Sequence, residues 1–388
     1  MRWRFAAAVG RLGRVRTAPV TAAAVGAVLA AGAAGLAAGR LAGDAALKVS
    51  PDRPMPTEPR LTVHGTAAGR ITLTRDPAAL RPGRYGLVGD AGRAVVGDVL
   101  PGAARPDTVV RRLEHLVHGT LAAGDRVWLT PALHVGTPRT ALDLDHRDIE
   151  IAGDLGPLPA WFVPGTRGTW VIAAHGLPAG REHAMNLMHP LHRMRLPVLA
   201  LAHRGDPGAP RPPQGLHRFG ESEWRDLDAA VRHALAHGAR RVVLLGWSTG
   251  ATMALRVSAR SEARDAVAGL VLDSPVLDWG ATVRALATAR GAPRALMPLA
   301  VRSVQGRAGL PAAGSPERSR SDHPAVPVLV FHGPGDRVAP WESSRRLADA
   351  NPTRVSLHTV RDAPHAAMWN ADPRGYEETL RRFLTPLM

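Results

Sequence analysis

In Arg240-Arg241-Val242-Val243-Leu244-Leu245-Gly246-Trp247-Ser248-Thr249-Gly250, an apolar, β-branched run ends at a serine set between two glycines. The four residues Val242 to Leu245 read as a buried strand. The pattern from Thr249 to Ser261 reads as a helix. G-x-S-x-G in that context demands a very sharp strand-to-helix turn that thrusts the serine out of the sheet. Flanking glycines relieve crowding and let the turn adopt a strained backbone. A serine that merely caps a helix would explain Ser248 but not both glycines.

Working outward, the same alternation continues on both sides. DIEIAG and PAWFVPG look like a β-hairpin, and TWVIAAHG like a strand ending in a tight turn. A helix is expected at Glu182 to Met194, then the strand LPVLALAHRG and a helix from Glu221 to His237. Beyond the serine come strands AGLVLDSP and VPVLVFHG, a helix at Trp341 to Ala350, strand RVSLHTV and a final helix at Pro373 to Leu384. Nearly continuous apolar strands alternating with helices predict an α/β fold, a mostly parallel sheet flanked by helices on both faces.

From about residue 147 to the end, the chain resembles the α/β-hydrolase superfamily of serine hydrolases, in its esterase/lipase or prolyl-oligopeptidase-like branch. The resemblance implies Ser248 as nucleophile. A hydroxyl is a poor nucleophile near neutral pH, so a histidine must take its proton and a carboxylate must orient the imidazole. The resemblance places that base at His365, in DAPHAAMW after the last strand. Two aspartates compete for the acid. Asp336, in the loop His332-Gly333-Pro334-Gly335-Asp336 after VPVLVF, is the one the resemblance favours. Asp273, at the end of VLDSP, is the alternative. Ala251 departs from the second glycine that many relatives carry after the elbow.

Acyl transfer creates an oxyanion that needs two backbone donors. One is expected at the N–H of Thr249, and the resemblance implies Leu177, in His175-Gly176-Leu177, for the other. Trp247, Met185 and Trp279, with Pro275 and Trp369, are candidates for an apolar substrate pocket. Residues 276–322 form an insertion that could cover it as a partial lid. His183, His189 and His192 have a spacing that fits no strong metal template, and this chemistry requires neither metal nor cofactor.

Before the core, LTVHG, RITLTR, RYGLVG and AVVGDVL predict a small β-rich accessory segment over 61–146, with a helix only around Thr108 to Leu121. Residues 48–60 are rich in proline and charge and read as a linker. In residues 1–47, five arginines precede an uncharged, alanine-rich stretch from Thr17 to Gly39. As a helix those residues would be about 34 Å long, enough to span a bilayer. The expectation is an N-terminal apolar helix serving as membrane anchor or export signal. The catalytic domain would then be membrane-anchored outside the cytoplasm, or secreted.

The 388 residues carry a formal charge of +16. The arginines are scattered among aspartates with no aromatic-interleaved basic stripe, which argues against a specific nucleic-acid partner. There is no cysteine, excluding disulfides and thiol catalysis. The expected activity is hydrolysis of a small-molecule or lipid-like carboxylic ester through an acyl-enzyme. The alternatives are a peptidase or amidase of the prolyl-oligopeptidase-like type, or a non-catalytic binding protein that kept the fold.

Overall fold

Short strands separated by tight turns build the first unit of the computed structural model, which describes residues 54–101, 105–212, 215–311 and 323–388. Strands β1 (Leu61–Ala67), β2 (Arg70–Thr74), β3 (Tyr85–Gly89), β4 (Gly92–Val99), β5 (Thr108–Gly119) and β6 (Arg126–Thr130) pair antiparallel. They close into a six-stranded barrel in the order β1-β2-β5-β4-β3-β6. Closure rests on pairing of Leu61 with Val127 and of Thr62 with Arg126. Inward-facing Leu61, Val63, Ile71, Leu73, Leu87 and Val109 fill it with an apolar core. Arg111 is fully buried at one end of the barrel. It donates to the carbonyls of Ala79, Arg81, Gly83 and Gly97, which ties the loop between β2 and β3 to the wall.

Two expectations are corrected here. What precedes the α/β core among the described residues is a closed six-stranded antiparallel barrel, which is the form the small β-rich segment takes, and not an N-terminal apolar helix. The helix expected around Thr108 to Leu121 is strand β5, bonded to β2 on one side and β4 on the other. Leu113, Leu116 and Val117 have helix-like spacing, but β2 pairs with residues 108–112 and β4 with residues 111–119, and this tertiary pairing overrides local propensity.

The second unit is an eight-stranded sheet in the order β14-β13-β12-β11-β9-β10-β8-β7. It comprises β7 (Arg147–Gly153), β8 (Gly156–Val163), β9 (Thr169–Ala174), β10 (Val198–Leu201), β11 (Arg241–Trp247), β12 (Val267–Asp273), β13 (Val328–His332) and β14 (Val355–Thr359). The sheet is mixed rather than mostly parallel throughout. From β10 to β14 every pairing is parallel, whereas β8 runs antiparallel to both β7 and β10. A tight turn at Gly153–Gly156 permits only the antiparallel return, while the parallel pairs are joined by helical crossovers. Helices Met185–Arg193 and Pro373–Leu384 pack on one face, and Trp224–Ala236, Thr249–Arg260 and Trp341–Ala350 on the other.

The barrel docks onto this sheet beside the loop that carries His365. Ala367 is part of the barrel's own apolar core. Asn370 Nδ2 donates to the carbonyls of Arg84 and Pro131, both at 2.9 Å. Asn186 Nδ2 donates to the same Pro131 carbonyl at 2.9 Å.

The apolar stretch from Thr17 to Gly39 lies outside the described residues. Among the described residues no helix is long and apolar enough to cross a membrane. The expected N-terminal helix, the membrane association drawn from it, and the location outside the cytoplasm are corrected accordingly: nothing among the described residues supports them.

Candidate active site

Strand β11 delivers Ser248 at the carboxyl edge of the sheet, where the helix Thr249–Arg260 begins. Ser248 has φ 54° and ψ −115°, a backbone conformation rarely tolerated outside glycine. Two hydrogen bonds hold it there. Its N–H donates to the Asp273 carbonyl at 2.9 Å, and its own carbonyl accepts from the Val276 N–H at 3.3 Å. The flanking glycines are required by proximity. A Cβ on Gly250 would stand 2.1 Å from the Ala174 carbonyl oxygen, and one on Gly246 would stand 2.5 Å from the Ala251 nitrogen.

His365 lies in the loop after β14. Ser248 Oγ and His365 Nε2 are 2.7 Å apart, and His365 Nδ1 is 2.7 Å from Asp336 Oδ2. With Nδ1–H donating to the carboxylate, Nε2 is left as the acceptor of the serine hydroxyl. Asp336 follows β13 and is held on every side. Its Oδ1 accepts the N–H groups of Val338 and Ala339 at 2.8 and 2.9 Å, and its Oδ2 also meets His332 Nε2 at 3.0 Å. Burial by itself would raise this carboxyl. The positive field of His365 and the hydrogen bonds from His332 and His365 outweigh it and hold the group well below the usual carboxylate range.

Asp273 is brought to the same edge but not to the imidazole. Its Oδ1 accepts from Ser274 Oγ at 2.8 Å, and Ser274 Oγ in turn accepts the Ala366 N–H at 2.9 Å. Full burial pushes the Asp273 carboxyl up to about 7, only partly countered by that serine. Asp273 therefore braces the backbone next to His365, through Ser274.

The loop after β9 passes directly over the serine. A Cβ on Gly176 would stand 2.4 Å from the Ser248 Cβ, so only glycine allows the approach. Leu177 lines the same cavity as Ser248. The Thr249 N–H, first in its helix, has no intrahelical acceptor. Behind the loop, His175 Nε2 meets Asp206 Oδ2 at 2.7 Å, and the His203 backbone N–H donates to the same oxygen at 2.7 Å. His175, His203 and Asp206 are the only such cluster with metal-like spacing among the described residues. Its geometry is that of a hydrogen-bonded pair, with the His175 nitrogen spent on the carboxylate. His183 stacks on Trp247 with ring centroids 4.7 Å apart, and burial lowers its pKa to about 3. His189 and His192 are exposed, so His183, His189 and His192 do not converge.

A cavity of about 350 Å³ opens over Ser248 and His365. Its outer wall is the barrel, through Tyr85, Arg93, Trp128 and the loop around Pro131 and His134. Met185, Trp247, Pro275, Trp279 and Trp369 do not line it. Met185, Trp247 and Trp369 belong to the core on one face of the sheet. Trp279 packs with Val283, Val304 and Phe219 in a separate cluster, where helices Trp279–Ala289 and Met297–Ala308 lie together. No described residue of 276–322 lines the cavity either. The described wall over the cavity comes instead from the barrel, far away in sequence. The sequence reading missed His332, Ser274, Asn370 and Arg93. His332 alone carried a signal, four residues before Asp336 at the end of a strand.

The chain has the serine-hydrolase-like fold of the α/β-hydrolase superfamily, and this fold is consistent with hydrolysis of a carboxylic ester. A family model described as the alpha/beta hydrolase fold matches residues 169–290, and one described as a domain of unknown function, DUF8805, matches residues 62–130. Two crystal forms of the Pyrococcus furiosus esterase Pf2001 are similar at TM-scores of 0.52 and 0.51. Both are 22% identical, covering 66% and 65% of this chain and 95% and 96% of theirs. Uncharacterized protein YfhR of Escherichia coli (strain K12) is 24% identical over 214 residues, 54% of this chain and 69% of that protein.

Proposed function

We propose that this chain hydrolyses a carboxylic ester through an acyl-enzyme, with Ser248 as nucleophile, His365 as base and Asp336 as acid. The observation that carries this reading is the unbroken chain of short contacts from Ser248 Oγ through His365 to Asp336, opening into a cavity. Ser248 Oγ attacks the ester carbonyl while its proton passes to His365 Nε2. The N–H groups of Thr249 and Leu177 receive the oxyanion. Collapse of the tetrahedral intermediate breaks the ester C–O bond, and the alcohol leaves with the proton from His365. Water, deprotonated by His365, then attacks the acyl-enzyme and releases the acid. Asp336 orients the imidazole and stabilises its charged form without taking the proton.

The same reading assigns 61–146 to an accessory domain that shapes the site and 147–388 to the catalytic domain. The test is labelling by a fluorophosphonate probe. Wild-type protein is expected to label covalently and Ser248→Ala to remain unlabelled. A folded wild-type protein that takes no label would overturn the proposal.

A further inference from the structure

The charged side chains around the cavity are not evenly paired. Arg81 is bound to Glu58 at 2.6 Å, so these two neutralise one another. Arg93, on β4, differs. Its one hydrogen bond among the described residues is from Nη2 to the Ala132 carbonyl at 2.6 Å, and its buried Nε has no acceptor. No carboxylate among the described residues lies within ion-pair distance of it. The other acid of the cavity, Glu182, interacts with Arg93 only at longer range, is half-buried, and lines a neighbouring cavity as well. His134 adds no charge, because burial and the cations around it lower its pKa to about 4.

A guanidinium withdrawn from water without a counter-charge is costly unless something in the working complex supplies one. Arg93 stands on the wall that the barrel contributes to the cavity shared with Ser248 and His365. The rest of that wall is largely apolar, including Val88, Trp128, Leu129 and Val135. We propose that the substrate is an ester bearing one carboxylate, such as the half-ester of an aliphatic dicarboxylic acid, and that Arg93 receives the carboxylate while Ser248 attacks the ester carbonyl. A cation with no carboxylate at ion-pair distance among the described residues fits a single negative charge, and the apolar wall fits a methylene chain between the two ends. The inference rests on the serine-hydrolase reading and adds to it the substrate class and a specificity residue.

The test compares monomethyl with dimethyl adipate and suberate, following methanol release by wild type, Arg93→Met and Arg93→Lys. Wild type is expected to favour a monoester over its diester by about tenfold or more in kcat/KM. Arg93→Met is expected to lower the monoester-to-diester ratio of kcat/KM by about 30-fold or more, as the carboxylate loses its partner. Arg93→Lys should keep part of the preference. An unaltered far-ultraviolet circular dichroism spectrum and urea midpoint show that the variants fold. In parallel, hexanoate is expected to slow labelling of wild type but not of Arg93→Met, with hexanamide ineffective on both. A wild type that labels but shows neither monoester preference nor hexanoate protection overturns this inference and leaves the hydrolase reading intact. A folded wild type that does not label overturns the hydrolase reading itself.

Discussion

His332 Nε2 lies 3.0 Å from Asp336 Oδ2, the same oxygen that receives His365. His332 is fully buried, and its other nitrogen meets Ser344 Oγ at 2.8 Å. A second imidazole thus shares the carboxylate that orients the first. Removing it would leave Asp336 Oδ2 held by His365 alone, with only the Oδ1 bonds from Val338 and Ala339 fixing the carboxylate. Loss of one hydrogen bond to a charged group is worth about 1.5–3 kcal/mol. His332→Ala is therefore expected to lower kcat on a neutral ester by roughly 10- to 100-fold with KM little changed. A variant with unaltered kcat would show that the backbone donors of Val338 and Ala339 suffice.

The approach of Gly176 to Ser248 makes a second prediction. A methyl group at Gly176 has 2.4 Å to the Ser248 Cβ and 2.7 Å to the Trp247 carbonyl oxygen, so the loop after β9 must withdraw. Displacement of a donor by about 1 Å costs on the order of 10²-fold in rate. Gly176→Ala is expected to reduce fluorophosphonate labelling by about that factor while the far-ultraviolet circular dichroism stays that of wild type. Labelling at the wild-type rate would place the oxyanion donors elsewhere.

Asn370 couples barrel to catalytic domain through two carbonyls, those of Arg84 and Pro131. Asn370→Ala removes both bonds, at about 0.5–1.5 kcal/mol net each. The unfolding free energy measured in urea should fall by a corresponding roughly 1–3 kcal/mol. Because Asn370 lies five residues beyond His365, labelling should slow as well. A loss of stability with full labelling would mean that docking and catalysis are independent.

Asp273 supplies a pH signature. Its folded-state carboxyl is raised to about 7 by burial, from an unfolded value of 3.8. Below the unfolded value both states hold the proton and the group is neutral to stability. As pH rises from there to about 7, the unfolded chain releases the proton and the folded chain keeps it, so this group progressively destabilises the fold. Asp336 acts in the opposite sense. Its depressed pKa stabilises the fold above the usual carboxylate range and is lost as pH falls below it. Asp273→Asn is expected to flatten the decline in melting temperature between about pH 4 and 7. An unchanged slope would show that Asp273 is ionised in the folded protein.

Much of the catalytic domain was legible because its signals are local. Val242 to Gly250 contains both the apolar strand and the residues its turn demands, and the final helix begins at Pro373 with Asp372 capping Gly375. The barrel was not legible in the same way. Leu113, Leu116 and Val117 suit a helix as well as a strand, and only simultaneous pairing of β5 with β2 and β4 decides between them. The apolar candidates for the pocket failed for a related reason. Trp247 and Met185 are buried beneath the sheet edge, and hydrophobicity alone cannot tell a core position from a cavity wall.

By itself, then, the sequence determined where the chain must turn sharply at Ser248 and which segments alternate as strands and helices, since backbone strain and apolar periodicity are written in neighbouring residues. Only the tertiary structure decided that the barrel closes and that it supplies the outer wall of the cavity. The tertiary structure alone also sets Asp336 between His332 and His365 and leaves Arg93 with no carboxylate at ion-pair distance among the described residues. Apart from the His332–Asp336 contact, which spans four residues, each of these depends on contacts between residues far apart in the chain, where register, burial and the partner of every buried charge are chosen together.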